Sequence, residues 1–383
     1  MRSKTLKRIL IAAITVAAFI GVPSVTRSED IDIYTDSAAN SGLPNVLFVI
    51  DNGANFEAAG GSTACAAYNS GGAPSLGASN GGIQQCALVN AIEALPAGTV
   101  NIGILVGNAN NFARGYAGMS PGDAAYYNVC DQSTGYGGCV IRPLAEMNAA
   151  NKTSLVNFIK SWKTSGSDSA TAFNVKAGGN KTANMMQEAW AYFNGGGKVG
   201  LSGRSYTEPI LGSGCQKNFI IFIANAAGPS STPADTPALA DAGAALAAAQ
   251  VGATDAQKTK ISEIAKFATN TCGVPQLAAG NQASNWSSNW MDEWARLMFE
   301  QDGNSIGQGR QSITTYGIGL IGSSCTPDYP ALMTTAAKYG GGRYFSASSA
   351  VDLTEAINSA LNEIQAVNSV FSSASLPVSV NAQ

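Results

Sequence analysis

The stretch Asn45-Val46-Leu47-Phe48-Val49-Ile50, ended by Asp51 and followed by Asn52-Gly53-Ala54-Asn55, decides the fold. A continuous Val/Ile/Leu/Phe run without alternation fits a strand buried on both faces, as in a parallel sheet covered by helices. In such sheets ligands sit beyond the carboxyl ends of the strands. An acid followed by a turn at that end marks where a site would be built.

Four further apolar stretches read as strands: 100–106, 219–224 (ended by Asn225), 312–321 and 343–346. Helical periodicity predicts helices over 82–95, 151–162, 180–193, 286–301, 328–339 and 350–364. The alternation implies an α/β chain, a doubly wound and mainly parallel sheet flanked by helices. The domain is predicted over 29–367, with insertions at 56–81, 109–147 and 226–284. The last insertion is expected to hold two helices, 236–249 and 255–268. Residues 368–383 read as an extended tail, alternating loosely over 372–380.

The 383 residues are 45% apolar, enough for a sizeable core, and only 12% charged. That is half the roughly 25% usual for soluble domains. A net charge of −3 and a pI near 5.1 give no basic field, which argues against a nucleic-acid partner. The chain has no histidine. That excludes Ser-His-Asp and Cys-His catalysis and every His-containing metal site.

Residues 1–28 read as a secretory signal. Arg2, Lys4, Lys7 and Arg8 precede a 14-residue apolar stretch over 9–22, short for a membrane span. Ser24 and Ser28 are both open as the residue before the cut, and an uncleaved anchor is the alternative. The mature chain is expected to be secreted and free of the membrane.

Seven cysteines fit an oxidising compartment. Cys65 and Cys86 flank a Gly/Ser/Asn-rich loop, and Cys130 and Cys139 enclose eight residues, so each couple is expected to pair locally. Cys272 and Cys325 form the third expected pair. Cys215 is left over, either as a free thiol or as the alternative partner of Cys272. No CxxC spacing occurs.

The strand ending in Asp51, the helix start near Thr182 and the strand ending in Asn225 come in the order of a von Willebrand factor A domain. Four stretches add detail: Ile31-Asp32-Ile33-Tyr34, Cys215-Gln216-Lys217-Asn218-Phe219-Ile220-Ile221, Thr314-Thr315-Tyr316-Gly317-Ile318-Gly319, and Tyr339-Gly340-Gly341-Gly342-Arg343-Tyr344-Phe345 with the later Pro377-Val378-Ser379-Val380-Asn381. Through these, residues 29–383 resemble the N-terminal region of the PilY-type type IV pilus tip adhesins. The resemblance implies a secreted, pilus-associated adhesin or assembly factor. Its implied partners are pilins or minor pilins and a surface ligand. In the family a β-propeller follows the A domain, and here the sequence ends at Gln383. A shortened family member or a propeller on a separate polypeptide is therefore expected.

The same resemblance implies a metal-ion-dependent adhesion site, built from D-x-S-x-S, a later Thr and a strand-ending Asp. Hydroxyls and carboxylates there hold a hard cation that takes an acidic group of the ligand. In this chain Asp51 and Thr182 keep the family residue. Gly53 and Asn55 replace the two serines, and Asn225 replaces the Asp. The candidate metal set is thus Asp51, Asn55, Thr182 and Asn225, a degenerate one with a single carboxylate. Weak binding of Mg²⁺ or Ca²⁺, or none, is expected. Structural roles compete at each position: Asp51 as a loop or helix-capping acceptor, Thr182 as a cap, Asn225 as a turn residue.

Other chemistry finds less support. Gly178-Gly179-Asn180-Lys181-Thr182 lacks the glycines a phosphate loop needs, since Val175 and Asn180 stand at those positions. Asp292 and Glu293 are adjacent on a helix and diverge, and Glu208 has no evident partner, so paired carboxylates for glycoside hydrolysis are not evident. No G-x-S-x-G elbow occurs. Trp286, Trp290 and Trp294 recur every four residues, as a packing face does, with a sugar-binding platform as the alternative. A binding module, not an enzyme, is expected. A metal-independent structural component of the pilus tip is the alternative, with a secreted hydrolase behind both.

Overall fold

The computed structural model describes residues 42–53, 56, 79–107, 138–163, 173–175, 182–195, 206, 216–225, 291–300, 311–320 and 328–373. The expected signal segment, Asn55, the segment 226–290, and cysteines 65, 130, 215, 272 and 325 lie outside the described residues.

The elements run β1 (Asn45–Ile50), α1 (Asn80–Ala94), β2 (Asn101–Gly107), β3 (Gly138–Glu146), α2 (Ala149–Lys160), β4 (Trp162–Lys163), β5 (Phe173–Asn174) and α3 (Thr182–Asn194). They continue with β6 (Asn218–Asn225), α4 (Met291–Glu300), β7 (Ile313–Leu320), α5 (Asp328–Tyr339), β8 (Gly341–Ala347) and α6 (Ala350–Ser373). Six strands form one sheet in the order β3-β2-β1-β6-β7-β8, and β4 and β5 pair separately. All neighbours in the large sheet run parallel except β3, which is antiparallel to β2. The expected α/β class and mainly parallel sheet are found, arranged as in a von Willebrand A-like fold.

β1 is buried along its whole length. Val46, Phe48 and Ile50 face one layer with α1, α2 and α6, while Leu47 and Val49 face the other with α3, α4 and α5. Burial on both faces is why the run shows no alternation. A large aliphatic side chain fully buried in this way contributes about 1.5–3 kcal/mol.

Local signals set the helix starts. Ser79 Oγ accepts from Gly82 N at 3.1 Å ahead of α1, and Asn148 Oδ1 accepts from Asn151 N at 2.9 Å ahead of α2. At α6, Ser349 Oγ accepts from Asp352 N at 3.1 Å, while Asp352 Oδ2 accepts from Ser348 N at 3.1 Å. Such reciprocal bonds satisfy helix-start N–H groups that lack intrahelical acceptors. Gly341 links α5 to β8 with φ +72, and a Cβ there would lie 2.2 Å from the Phe299 ring. Only glycine fits both constraints.

The amino ends of four strands carry a row of amides. Asn101 Nδ2 donates to Asn45 Oδ1 at 2.8 Å, Asn45 Nδ2 to Asn218 Oδ1 at 2.9 Å, and Asn218 Nδ2 to Gln311 Oε1 at 3.4 Å. Gln216 Nε2 joins from the lead-in to β6, donating to the Leu43 carbonyl at 2.9 Å. Asn45 stands opposite both Asn101 and Asn218 in the strand register, so equal register brings the amides together. Asn45, Asn218 and Gln311 are each 1% exposed, and the row leaves few buried amide groups without partners.

Two sequence expectations are corrected. The segment 109–147 was expected to be an insertion, yet its end forms β3, paired with β2 from Asn101↔Glu146 to Gly107↔Gly138. Pro143 weakens the strand signal, but an edge strand tolerates its missing N–H. The extended tail expected from 368 gives way to α6, which runs on to Ser373. Trp294, from the expected aromatic face, is fully buried with its ring centroid 5.3 Å from that of Trp190, which is a packing role.

Candidate functional site

The strand ends at Asp51 and Asn225 meet. β1 and β6 are parallel, with Ile50 opposite Ile223, so both chains leave the sheet side by side at its carboxyl edge. Asn225 remains within β6, opposite Leu320, where a turn residue was the competing expectation. Its Nδ2 donates to the main-chain oxygen of Asp51 at 3.2 Å. Its Oδ1 accepts a short bond from Gln84 Nε2 of α1. Asp51 Oδ1 accepts from Gly53 N at 3.0 Å, a local turn bond.

Asn52 forms a second knot beside the first. Its Oδ1 accepts from Gly107 N at 2.8 Å, and its Nδ2 donates to the Gly107 carbonyl at 3.1 Å and the Val175 carbonyl at 2.5 Å. It thus ties the exit of β1 to the end of β2 and to the chain after β5. A Cβ on Gly107 would lie 2.8 Å from Asn52 Oδ1, so the close approach requires glycine.

The cluster is sealed. Asp51 and Asn52 are 1% exposed, Asn225 2%, and Thr182 and Gln84 0%. Thr182 opens α3 at this end, and Asn55 lies outside the described residues. Of the candidate metal set, the structure brings Asp51 and Asn225 together directly. Sequence reasoning missed Gln84 and Asn52. The signals were the polar pair Gln84-Gln85 within an otherwise small and apolar helix start, and an Asn directly after the strand-ending acid.

The described part of the donor set fits a resident cation poorly. Ca²⁺ takes six to eight oxygens, and Mg²⁺ takes six, through one or two carboxylates and several waters. Here Asp51 is the one carboxylate among the candidates, and the Asn225 oxygen already faces an N–H donor. Among the described residues no three His, Cys, Asp or Glu side chains converge.

The remaining candidates fall elsewhere. Cys86 and Cys139 are both disulfide-bonded, and their expected partners Cys65 and Cys130 lie outside the described residues. Asp292 is buried in the first turn of α4, with no hydrogen-bond partner for either carboxylate oxygen among the described residues. On the other face, burial and the neighbouring Glu363 carboxylate raise the Tyr316 phenol to about 12, opposed by Arg343.

No protein-family model matches the chain, and no curated protein matches it. Solved structures give distant likenesses. The pilus adhesin SpaC from Lactobacillus rhamnosus GG aligns at 12% identity and TM-score 0.39, over 85% of this chain and 31% of that one. The PilB minor pilin from Streptococcus sanguinis aligns at 12% identity and TM-score 0.41, over 88% and 64%. The protein BatB from Bacteroides thetaiotaomicron aligns at 12% identity and TM-score 0.34, over 84% and 98%. This chain thus spans under a third of the adhesin's length. Similarity at this level bears on neither family membership nor function.

Proposed function

We propose that the chain is a cell-surface, type IV pilus-associated module of the PilY-type kind, acting by binding in adhesion or tip assembly and without turnover. Its partners are pilins or minor pilins and a surface ligand. The observation that supports this most is spatial. Of the four stretches that resemble the PilY-type region, three contribute to β6, β7 and β8, which are adjacent in the sheet. These three stretches therefore lie side by side in the sheet. The sealed, amide-bonded sheet edge favours a metal-independent mode of binding over a cation-bridged one. Among the described residues no helix is long and apolar enough to cross a membrane.

The test is recovery of the tagged full chain with pili sheared from the cell surface, with and without EDTA. Co-recovery with pilins that survives EDTA is expected. Absence from the sheared fraction, with normal piliation in a deletion strain, would sink the pilus assignment. Co-recovery lost in EDTA would leave that assignment standing and sink the metal-independent mode.

A further inference from the structure

We infer that Gln84 takes the place of a cation at the carboxyl edge of this sheet, making the site a metal-free keystone that locks β1, β6 and α1 together. The inference rests on the fold and on the donor set, not on the pilus assignment, so the two fail separately.

A cation in such a site would neutralise the strand-end carboxylates and draw the exits of β1 and β6 together. Hydrogen bonds do the second here, and the Asp51 carboxylate accepts from Gly53 N at 3.0 Å. The exits are tied by Asn225 Nδ2 to the Asp51 carbonyl at 3.2 Å. That carbonyl fixes the orientation of the Asn225 amide, since a carbonyl can only accept. The Asn225 oxygen must then point away from Asp51, toward α1, where Gln84 Nε2 donates to it. The partial positive charge of an amide N–H thus faces the oxygen that a metal would otherwise ligate. Asn225 brings no charge to its strand end, so Asp51 is the single carboxylate of the pair.

Burial points the same way. A cation that receives an acidic group from a ligand needs a coordination position open to solvent. Asp51, Thr182 and Asn225 are at most 2% exposed, and Gln84 is fully buried. The neighbouring Asn52 knot is also saturated, with both amide atoms bonded to main-chain groups of Gly107 and Val175. Gln84 Oε1 is buried with no hydrogen-bond partner among the described residues.

The test is thermal unfolding of the full chain in excess Mg²⁺, Mn²⁺ or Ca²⁺ against EDTA, for wild type, Gln84→Leu and Gln84→Glu. Wild type is expected to melt at the same temperature in every condition. Gln84→Leu is expected to melt several degrees lower, equally with and without cation. Gln84→Glu adds a second carboxylate beside Asp51 and the Asn225 oxygen, and is expected to gain a cation-dependent rise in its midpoint. A wild-type midpoint that rises with cation and loses that rise in Asp51→Ala would overturn the inference. So would a Gln84→Leu variant as stable as wild type, or a folded Gln84→Glu variant indifferent to cations. Should Gln84→Glu fail to fold, the wild-type titration and Gln84→Leu still decide the matter.

Discussion

Asn225 Nδ2 lies 3.2 Å from the main-chain oxygen of Asp51, so the amide that ends β6 is committed to the chain that leaves β1. An Asp at this position would set a carboxylate oxygen against that carbonyl. Asn225→Asp is expected to lose about 2–4 kcal/mol, because it turns a buried hydrogen bond into a buried repulsion. The loss should shrink as pH falls below the carboxylate range, where a protonated side chain donates again. Denaturant melts at two pH values measure this, and an unchanged midpoint at neutral pH would show the bond to be immaterial.

Asn52 makes three bonds to main-chain groups at the ends of two segments. Asn52→Ala leaves Gly107 N–H and two carbonyls to find other partners. It is expected to cost about 2–3 kcal/mol and to speed hydrogen exchange at the Gly107 amide. Protection at Gly107 equal to wild type would refute the role.

The amide row at the amino ends should behave as a unit. Asn45→Ala and Asn218→Ala each strand the other's side chain, which sits 2.9 Å away. A double-mutant cycle is expected to give a coupling of about 0.5–3 kcal/mol, where independent sites would add. Simple additivity would mean that strand pairing alone sets the register.

Tyr316 carries a pH prediction. Burial first, then Glu363, raises its phenol from 10.0 to about 12. The folded state therefore binds the phenolic proton more tightly than the unfolded state does. The associated stability is complete below about pH 10 and is lost as pH rises through about 12. Tyr316→Phe should remove one late phenolate from an absorbance titration and flatten the alkaline loss of stability. A titration identical to wild type would contradict it.

Asp352 works in the opposite direction. Hydrogen bonds, first from the Ser348 hydroxyl and then from the Ser348 N–H, lower its carboxyl below the ordinary 3.8. Its contribution is present above about pH 4 and fades as pH falls through the lowered value. The residue is only partly buried and solvent screens its carboxylate, so Asp352→Ala is expected to cost a few tenths to about 1 kcal/mol at neutral pH. The cost should vanish in acid, and a cost independent of pH would rule out the carboxylate as its source.

The strongly apolar strands β1, β2 and β6 were legible because burial on both faces leaves nearly uninterrupted apolar runs. Helix α5 was legible to its bounds, Asp328–Tyr339. β3 was not, because Pro143 and Arg142 break the pattern that an edge strand does not need to keep. Asp51 and Asn225 were legible as strand ends, but their bonds were not. Those depend on Gln84, which is 141 residues away from Asn225 in sequence and carries no strand signal of its own.

By itself, the sequence determined the α/β class, the buried central strands, the absence of histidine chemistry and the pairing of one acid, Asp51, with one amide, Asn225, at the strand ends. Each of these is a property of residue types and their local spacing. Only the tertiary structure decided what the Asn225 amide bonds to. The direction of an amide is set by the partner it meets across the fold. The parallel register of β1 with β6, and the packing of α1 over their ends, bring Asp51, Gln84 and Asn225 into one hydrogen-bonded chain.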